Sequence, residues 1–271
     1  MATFNRIAII GGGNLGSSIA KGILSLKNFS KENVIICEKR KLRVKYLEDL
    51  GFNVIDSDLA ETIRNAGIII VSVKPQQFLK LLEELKPLIG PDQILVSTVT
   101  GISLNEIENV FGKHATVRIM PNTAIEIRES MTCLCFNNTT MEQEDSIISF
   151  FNRLGQTMHL QEELLDAVTV LGACGIAFAL RFIRAATQGG IEIGFSAEIS
   201  QFIVSQTVKG AAGLLHENAS HPESEIDKVT TPQGITISGL NEMEHQGFSS
   251  SVIKGLITSY SKLTSFDNNR N

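Results

Sequence analysis

The feature that most constrains this chain is Ile7-Ala-Ile-Ile10, which runs without a break into Gly11-Gly-Gly-Asn-Leu-Gly16 and then into Ser17-Ser-Ile-Ala-Lys-Gly-Ile-Leu24. A strand covered on both faces is continuously apolar, and such strands belong to parallel sheets flanked by helices. The glycines at 11, 13 and 16 fit G-x-G-x-x-G in its required strand–turn–helix setting. Gly11 permits the tight turn, Gly13 lets the backbone approach a pyrophosphate, and Gly16 lets helix and strand pack closely. With Asn14 and Leu15 they shape a turn whose helix directs unpaired N–H groups at a phosphate. A glycine turn that binds nothing is the plainer alternative.

The same alternation continues. Short β-branched runs at 34–37, 68–73, 94–96 and 116–119 are separated by stretches of helical period, which predicts a doubly wound parallel sheet of Rossmann type. Further strands are expected at 131–136 and 156–160, around a helix from about 142 to 154. Beyond 160 the period becomes helical throughout, with Ile199, Phe202, Ile203, Gln206, Gly210 and Leu214 on one set of spacings. Serines 249–251 are expected to cap a last helix, and the polar tail at 265–271 to fray. The length of 271 residues suits two domains, and the change of character divides them as 1–160 and 161–271.

Composition narrows the class. With 24 Lys and Arg against 29 Asp and Glu, the chain lacks the basic excess that nucleic acid demands. The longest mostly apolar run, at 168–180, falls short of the ~20 residues needed to span a bilayer, and 1–6 does not resemble a targeting segment. A cytoplasmic protein without nucleic-acid or membrane partners is the expectation. The four cysteines are too scattered for a disulfide framework, and Cys133 and Cys135 alternate on one predicted strand as buried thiols. The five histidines show no metal-ligand spacing, so no metal is expected.

Glu38, at the end of the second strand, stands where a carboxylate accepts hydrogen bonds from a ribose. Lys39 and Arg40 follow it, and a guanidinium suits a 2′-phosphate. The two signals leave NADP and NAD both open. Thr230-Thr-Pro-Gln-Gly-Ile-Thr236 precedes another predicted helix, and proline and glycine at such a start leave N–H groups converging on a carboxylate-sized space. Ordinary capping is the plainer alternative there.

Taken together, Ile9-Ile-Gly-Gly-Gly-Asn-Leu-Gly16, Val71-Ser-Val-Lys-Pro-Gln76, Ser97-Thr-Val-Thr-Gly-Ile-Ser103, Arg118-Ile-Met-Pro-Asn-Thr123 and Val229-Thr-Thr-Pro-Gln-Gly-Ile-Thr236 resemble the Δ1-pyrroline-5-carboxylate reductase family across nearly the whole chain. The resemblance implies an NAD(P)H-dependent reductase that transfers hydride to the C=N bond of a cyclic imine, giving proline. It also implies an all-α second domain that interlocks with another copy, as a homodimer or an oligomer of such dimers, with the active site at that interface. By the same resemblance Thr231, Gly234 and Ile235 hold the substrate carboxylate, Thr236 is the catalytic hydroxyl beside the ring nitrogen, and Cys174 lines the substrate pocket. Val73, Lys74, Pro75, Thr100 and Asn122 join the glycine turn, Glu38, Lys39 and Arg40 on the cofactor side.

Three positions depart from the family pattern. Gly172-Ala-Cys-Gly-Ile-Ala-Phe178 lacks the family's serine and proline and adds a thiol, Gln233 replaces a glycine, and Ala124 replaces a proline. They leave two other readings standing: reduction of a different cyclic imino acid, and a dinucleotide-binding homologue without activity. A β-hydroxyacid dehydrogenase would need G-x-x-x-N-x-x-K, and Gly172 is followed at those offsets by Ile176 and Ala179.

Overall fold

The computed structural model describes residues 4–268. Its strands are β1 (Ile7–Ile10), β2 (Val34–Glu38), β3 (Asn53–Asp56), β4 (Ile68–Val71), β5 (Ile94–Ser97), β6 (Thr116–Met120), β7 (Ser130–Asn137) and β8 (Gly155–His159). They form one sheet in the order β3-β2-β1-β4-β5-β6-β7-β8. Strand order reverses beside β1, where β1 pairs with both β2 and β4 in parallel register. Between the strands run α1 (Asn14–Leu24), α2 (Lys41–Asp49), α3 (Leu59–Ile63), α4 (Pro75–Leu85), α5 (Leu104–Phe111) and α6 (Met141–Asn152).

The apolar runs are continuous because each face of the sheet has its own core. Ile7, Ile9, Ile68 and Ile70 pack with Ile19 and Ile23 of α1 and Phe150 and Phe151 of α6. Ala8, Ile10, Ile69 and Val71 pack on the other side with Phe78 and Leu82 of α4 and Ile107 of α5. All of β1 and β4 is buried, and each isoleucine contributes about 1.5–3 kcal/mol. Helix starts are fixed locally: Ser103 and Glu106 form a capping box on α5, as Thr140 and Gln143 do on α6.

Two features of the sheet differ from the expectation. β7 runs antiparallel to β6, because a short 3₁₀ segment, Thr123–Ile127, returns the chain directly instead of crossing over through a helix. β3, whose residues are half-buried or exposed and whose ends are polar, carries no apolar run to mark it.

The chain divides into two compact units, one holding the residues up to Cys174 with those from Lys262 on, the other Gly175–Ser261. The change to helical period comes earlier, near 160, because the first turns after β8 still belong to the sheet. Leu165 of α7 (Leu165–Val168) is fully buried with Leu104, Met120, Cys133 and Cys135. The Arg118 side chain, 6% exposed on β6, pairs with Glu162, whose Oε1 also accepts from Leu104 N at 2.7 Å. Cys133 and Cys135 are buried thiols, as expected. Burial first, and the Glu162 charge second, push Cys135 up to about 11, and its Sγ–H donates to Leu160 O.

The second unit contains α8 (Gly175–Glu192), α9 (Ala197–Asn218), α10 (Pro222–Val229), α11 (Ile235–His245) and most of α12 (Phe248–Asn268). α8 and α9 approach closely where a side chain at Gly190 would collide with Ser200, whose Oγ donates to Thr187 O. Among the described residues of this unit, Thr187 and Ser200 are buried and no apolar side chain is. Serines 249–251 lie inside α12 rather than capping it, since Gly247 (φ +79°) ends the preceding turn and the helix starts at Phe248. The tail expected to fray is helical as far as Asn268, and 269–271 lie outside the described residues. The apolar run is also part of a longer helical stretch, Glu162–Glu192, long and apolar enough to cross a membrane by length and composition.

Replacing Glu162 by alanine strands a buried guanidinium and takes the acceptor from the Leu104 N–H at the start of α5. Glu162→Ala is expected to lower unfolding free energy in urea by about 2–3 kcal/mol, at the lower end for a broken buried pair because Glu162 is partly exposed. Glu163→Ala, on the exposed side of the same turn, stays within about 0.5 kcal/mol of wild type.

Candidate active site

The carboxyl ends of β1, β2, β4, β5 and β6 bring together the sequence-predicted cofactor residues at the edge of the sheet, where α/β folds bind nucleotides. The glycine turn is held by contacts that exclude side chains. Gly11 has φ +104° and donates to Cys37 O at 2.9 Å, and a Cβ there would strike the Ser72 carbonyl. A Cβ at Gly16 would strike the Gly11 carbonyl, whereas one at Gly13 would meet nothing within 4 Å. The turn is therefore closed beneath and open above Gly13. α1 starts there with no side-chain cap and no acidic residue in its first turn, so the N–H groups of Asn14, Leu15 and Gly16 remain for an anion. These features fit a dinucleotide pyrophosphate.

Glu38 lies beneath this turn. Its Oε2 accepts from Gly12 N (3.2 Å) and Arg40 Nη2 (2.9 Å); its Oε1 accepts from Lys39 N, Arg40 N and Arg40 Nε at 2.9–3.0 Å. Burial raises its pKa, but the hydrogen bonds and charge of Arg40, with the Lys39 N–H, more than offset this, and the carboxyl sits below its ordinary value. Arg43 was not anticipated: Nε donates to Gly12 O at 2.6 Å, Nη2 to Ser17 Oγ at 3.1 Å, and the guanidinium lies 4.7 Å from the Tyr46 ring centre. No local pattern marks an arginine that reaches back across 31 positions to a glycine turn.

Val73 and Lys74 follow β4, and Lys74 is the extended N-cap of α4 with Pro75 at its start. Thr98 closes the end of β5 onto Val71 O, two residues before Thr100. Asn122, 8% exposed, is engaged by the protein itself. Its N–H donates to Ser130 Oγ, its Oδ1 accepts from Ala124 N, and its Nδ2 donates to Gly172 O at 3.3 Å. Gly172 belongs to a π-helical turn, Thr169–Cys174, an insertion common at functional sites, and Cys174 at its end is a partly exposed free thiol.

The residues predicted to hold substrate, Thr231 to Thr236, lie in the second unit. Gly234 N donates to Thr231 O at 2.9 Å across Pro232 and Gln233, a turn with Pro at its second position and positive φ (+59°) at its third. That is the type II pattern, which favours glycine where Gln233 stands. A Cβ at Gly234 would press on the Thr231 hydroxyl and lie 2.9 Å from its carbonyl oxygen. Gly234 is the uncapped N-cap of α11, which has no acidic residue in its first turn. Ile235 is almost fully exposed and Thr236 half-buried.

A doubly wound sheet, a glycine turn at its switch point and a helical unit carrying a second anion-sized N-terminus define a dinucleotide-dependent oxidoreductase. Residues 162–265 match the family model described as pyrroline-5-carboxylate reductase dimerisation, and 6–101 the one described as NADP oxidoreductase coenzyme F420-dependent. The chain is 44% identical to pyrroline-5-carboxylate reductase 1 of Dictyostelium discoideum over 96% of its own length, spanning 50% of that protein. It is 41% identical to reductase 2 of the same organism, over 95% of this chain and 91% of the relative. The crystal structure of Plasmodium falciparum pyrroline carboxylate reductase with NADP bound matches at TM-score 0.86 and 26% identity, covering 98% of this chain and 99% of that one. The chain belongs to the pyrroline-5-carboxylate reductase family.

The 231–234 turn yields a stability prediction. Gln233→Gly removes a left-handed penalty and raises stability by about 0.5 kcal/mol net of glycine's chain entropy. Gly234→Ala forces the turn open and lowers stability by about 1–2 kcal/mol. Thermal unfolding of the two variants checks both signs.

Proposed function

We propose that this chain reduces the C=N bond of 1-pyrroline-5-carboxylate to give proline, with NAD(P)H as donor, in the cytoplasm. The observation that carries the reading is the Thr231–Gly234 turn opening into an uncapped helix, in a chain of this family. In this reading 1–160 serves the dinucleotide and 161–271 the substrate and the dimer. The bound dinucleotide supplies the hydride. Gly11, Gly13, Asn14, Leu15 and Gly16 hold its pyrophosphate, and Glu38, Lys39 and Arg40 border its adenosine end. Val73, Lys74, Pro75 and Thr100 line the crevice, and Asn122 stands toward the nicotinamide end.

Thr231, with the N–H groups around Gly234 and Ile235, binds the substrate carboxylate, and the helix dipole of α11 favours that charge. Hydride adds to the imine carbon while the C=N electron pair moves onto the nitrogen, which enters already protonated. No strong acid is required of the protein. The Thr236 hydroxyl orients the ring nitrogen and relays to the product amine the solvent proton that makes it an ammonium, and Cys174 contributes to the pocket wall.

The second unit supports a homodimer, or an oligomer built from such dimers. It has no buried apolar side chain among its described residues, while Phe202 (74%), Ile193 (77%) and Ile257 (59%) stand exposed. The apolar window within Glu162–Glu192 has mean hydropathy 1.8 and is only 11% buried. A surface this apolar is covered by a partner in a water-soluble assembly.

The purified chain is expected to oxidise NAD(P)H when given pyrroline-5-carboxylate, and to elute without detergent at twice its 29.5 kDa mass or an even multiple of it. Turnover confined to a different cyclic imine, binding of dinucleotide without any turnover, or recovery only from membranes would each overturn the corresponding part. Thr236→Ala is expected to lower kcat about 10- to 100-fold, the value of one hydrogen bond to a charged group, while the Kd for the dinucleotide is unchanged.

A further inference from the structure

We infer that Glu38 clamps Arg40 in place, and that Arg40, with Lys39 and Arg43, receives an adenosine 2′-phosphate, so that this site selects the 2′-phosphorylated dinucleotide. The inference rests on the dinucleotide reading of the glycine turn proposed above.

Glu38 occupies the position from which an acidic side chain accepts a ribose hydroxyl in NAD-binding domains. An ionised carboxylate has about four lone-pair positions. Here five N–H groups already converge on it, from Gly12 N, Lys39 N and Arg40 N, Nε and Nη2, all at 2.9–3.2 Å. Its side chain is 4% exposed. A ribose hydroxyl would gain a bond only by breaking one of these, so the carboxylate is an internal anchor and not a free acceptor.

The cations around it are not confined in the same way. The Arg40 side chain is 62% exposed and uses two of its five N–H groups on Glu38, in a side-on fork that fixes its plane. Arg43 is tied to the glycine turn through Gly12 O and Ser17 Oγ and braced by Tyr46, which places a second guanidinium on the pyrophosphate side. Lys39, between Glu38 and Arg40 in sequence, is exposed. From Glu38 to Arg43 the chain carries one carboxylate against Lys39, Arg40, Lys41 and Arg43, and that carboxylate is buried and already paired. A phosphate on the ribose therefore meets preorganised donors and no exposed negative charge. The depressed pKa of Glu38 keeps the clamp ionised at neutral pH.

Calorimetric titration of the full chain tests this with adenosine 2′,5′-bisphosphate and adenosine 5′-monophosphate, which differ only by the 2′-phosphate. The bisphosphate is expected to bind at least about tenfold tighter at 50 mM salt, and the ratio to shrink toward about threefold at 500 mM as the charges are screened. Arg40→Ala removes most of the ratio, because it weakens bisphosphate binding far more than 5′-monophosphate binding. Glu38→Gln loosens the clamp, so it weakens NADP⁺ more than NAD⁺. If Glu38 were instead a ribose acceptor, the same variant would weaken NAD⁺ and strengthen NADP⁺, which overturns the inference. Equal binding of the two adenosine phosphates by wild type, or a ratio insensitive to salt, overturns it without any variant. Failure of NADP⁺ and NAD⁺ alike to bind wild type removes the dinucleotide reading itself, and this inference with it.

Discussion

The bare-backbone contact between the glycine turn and the end of β4 is the constraint on which the rest of the site depends. Gly11 lies against the Ser72 carbonyl and Gly16 against Gly11, so α1 begins directly above the sheet with its first N–H groups uncovered. A methyl group at either position would push the helix outward and change where those N–H groups point. β1 and β4 tolerate no such shift, because both are buried on both faces and locked in parallel register from Ile7↔Ile68 to Ile10↔Val71. The packing of the two cores thus fixes the location of a candidate anion site whose donors on α1 are backbone N–H groups.

Charge enters in a second layer, and there its placement is decided by burial. Glu38 under the turn and Arg118 on β6 are each nearly inaccessible; Glu38 is satisfied by several partners, and Arg118 pairs with Glu162. Glu38 joins the turn to the β2–α2 connection through Gly12 and Arg40. Arg118, through Glu162 and Leu104, joins β6 to the start of the helical chain and to α5. Leaving either partner alone would cost more than the pair contributes, since an unpaired buried charge keeps its full desolvation penalty. The two pairs therefore specify how loops meet strands more than they raise stability.

What could be read in the sequence follows from how local each cause is. β1 and its turn were legible because an apolar tetrapeptide followed by spaced glycines has few other uses, and α9 because its period runs for several turns. β3 was not: Asn53 and Asp56 bound a strand at the sheet edge whose half-buried residues carry no apolar run. The antiparallel direction of β7 follows from the 3₁₀ turn at Thr123–Ile127, whose stop is a left-handed Arg128, a conformation no residue type there announces. Arg43 and the engagement of Asn122 with Gly172 are long-range consequences of packing. The apolar run at 168–180 understates the long helical stretch, because the π turn at Thr169–Cys174 joins the helix before it to α8 and the helical chain runs on to Glu192.

The substrate-side turn obeys a different economy from the cofactor side. At Gly11 the positive φ falls on glycine and involves no strain; at Gln233 a similar φ falls on a residue with a side chain, and the turn must be held by its surroundings. What holds it locally is the Pro232 ring, which presets the preceding residue, and the Thr231–Gly234 hydrogen bond. Both act on backbone, so the geometry that presents the N–H groups of α11 survives the loss of a glycine. A carboxylate bound there would be recognised by backbone and dipole, as a pyrophosphate would be at α1, and the side chain at 233 is left to influence what else fits beside it. In the proposed reading both ends of the reaction rest on uncapped helix N-termini, an arrangement suited to a charge-neutralising hydride transfer in which the protein orients two anions and supplies no strong acid.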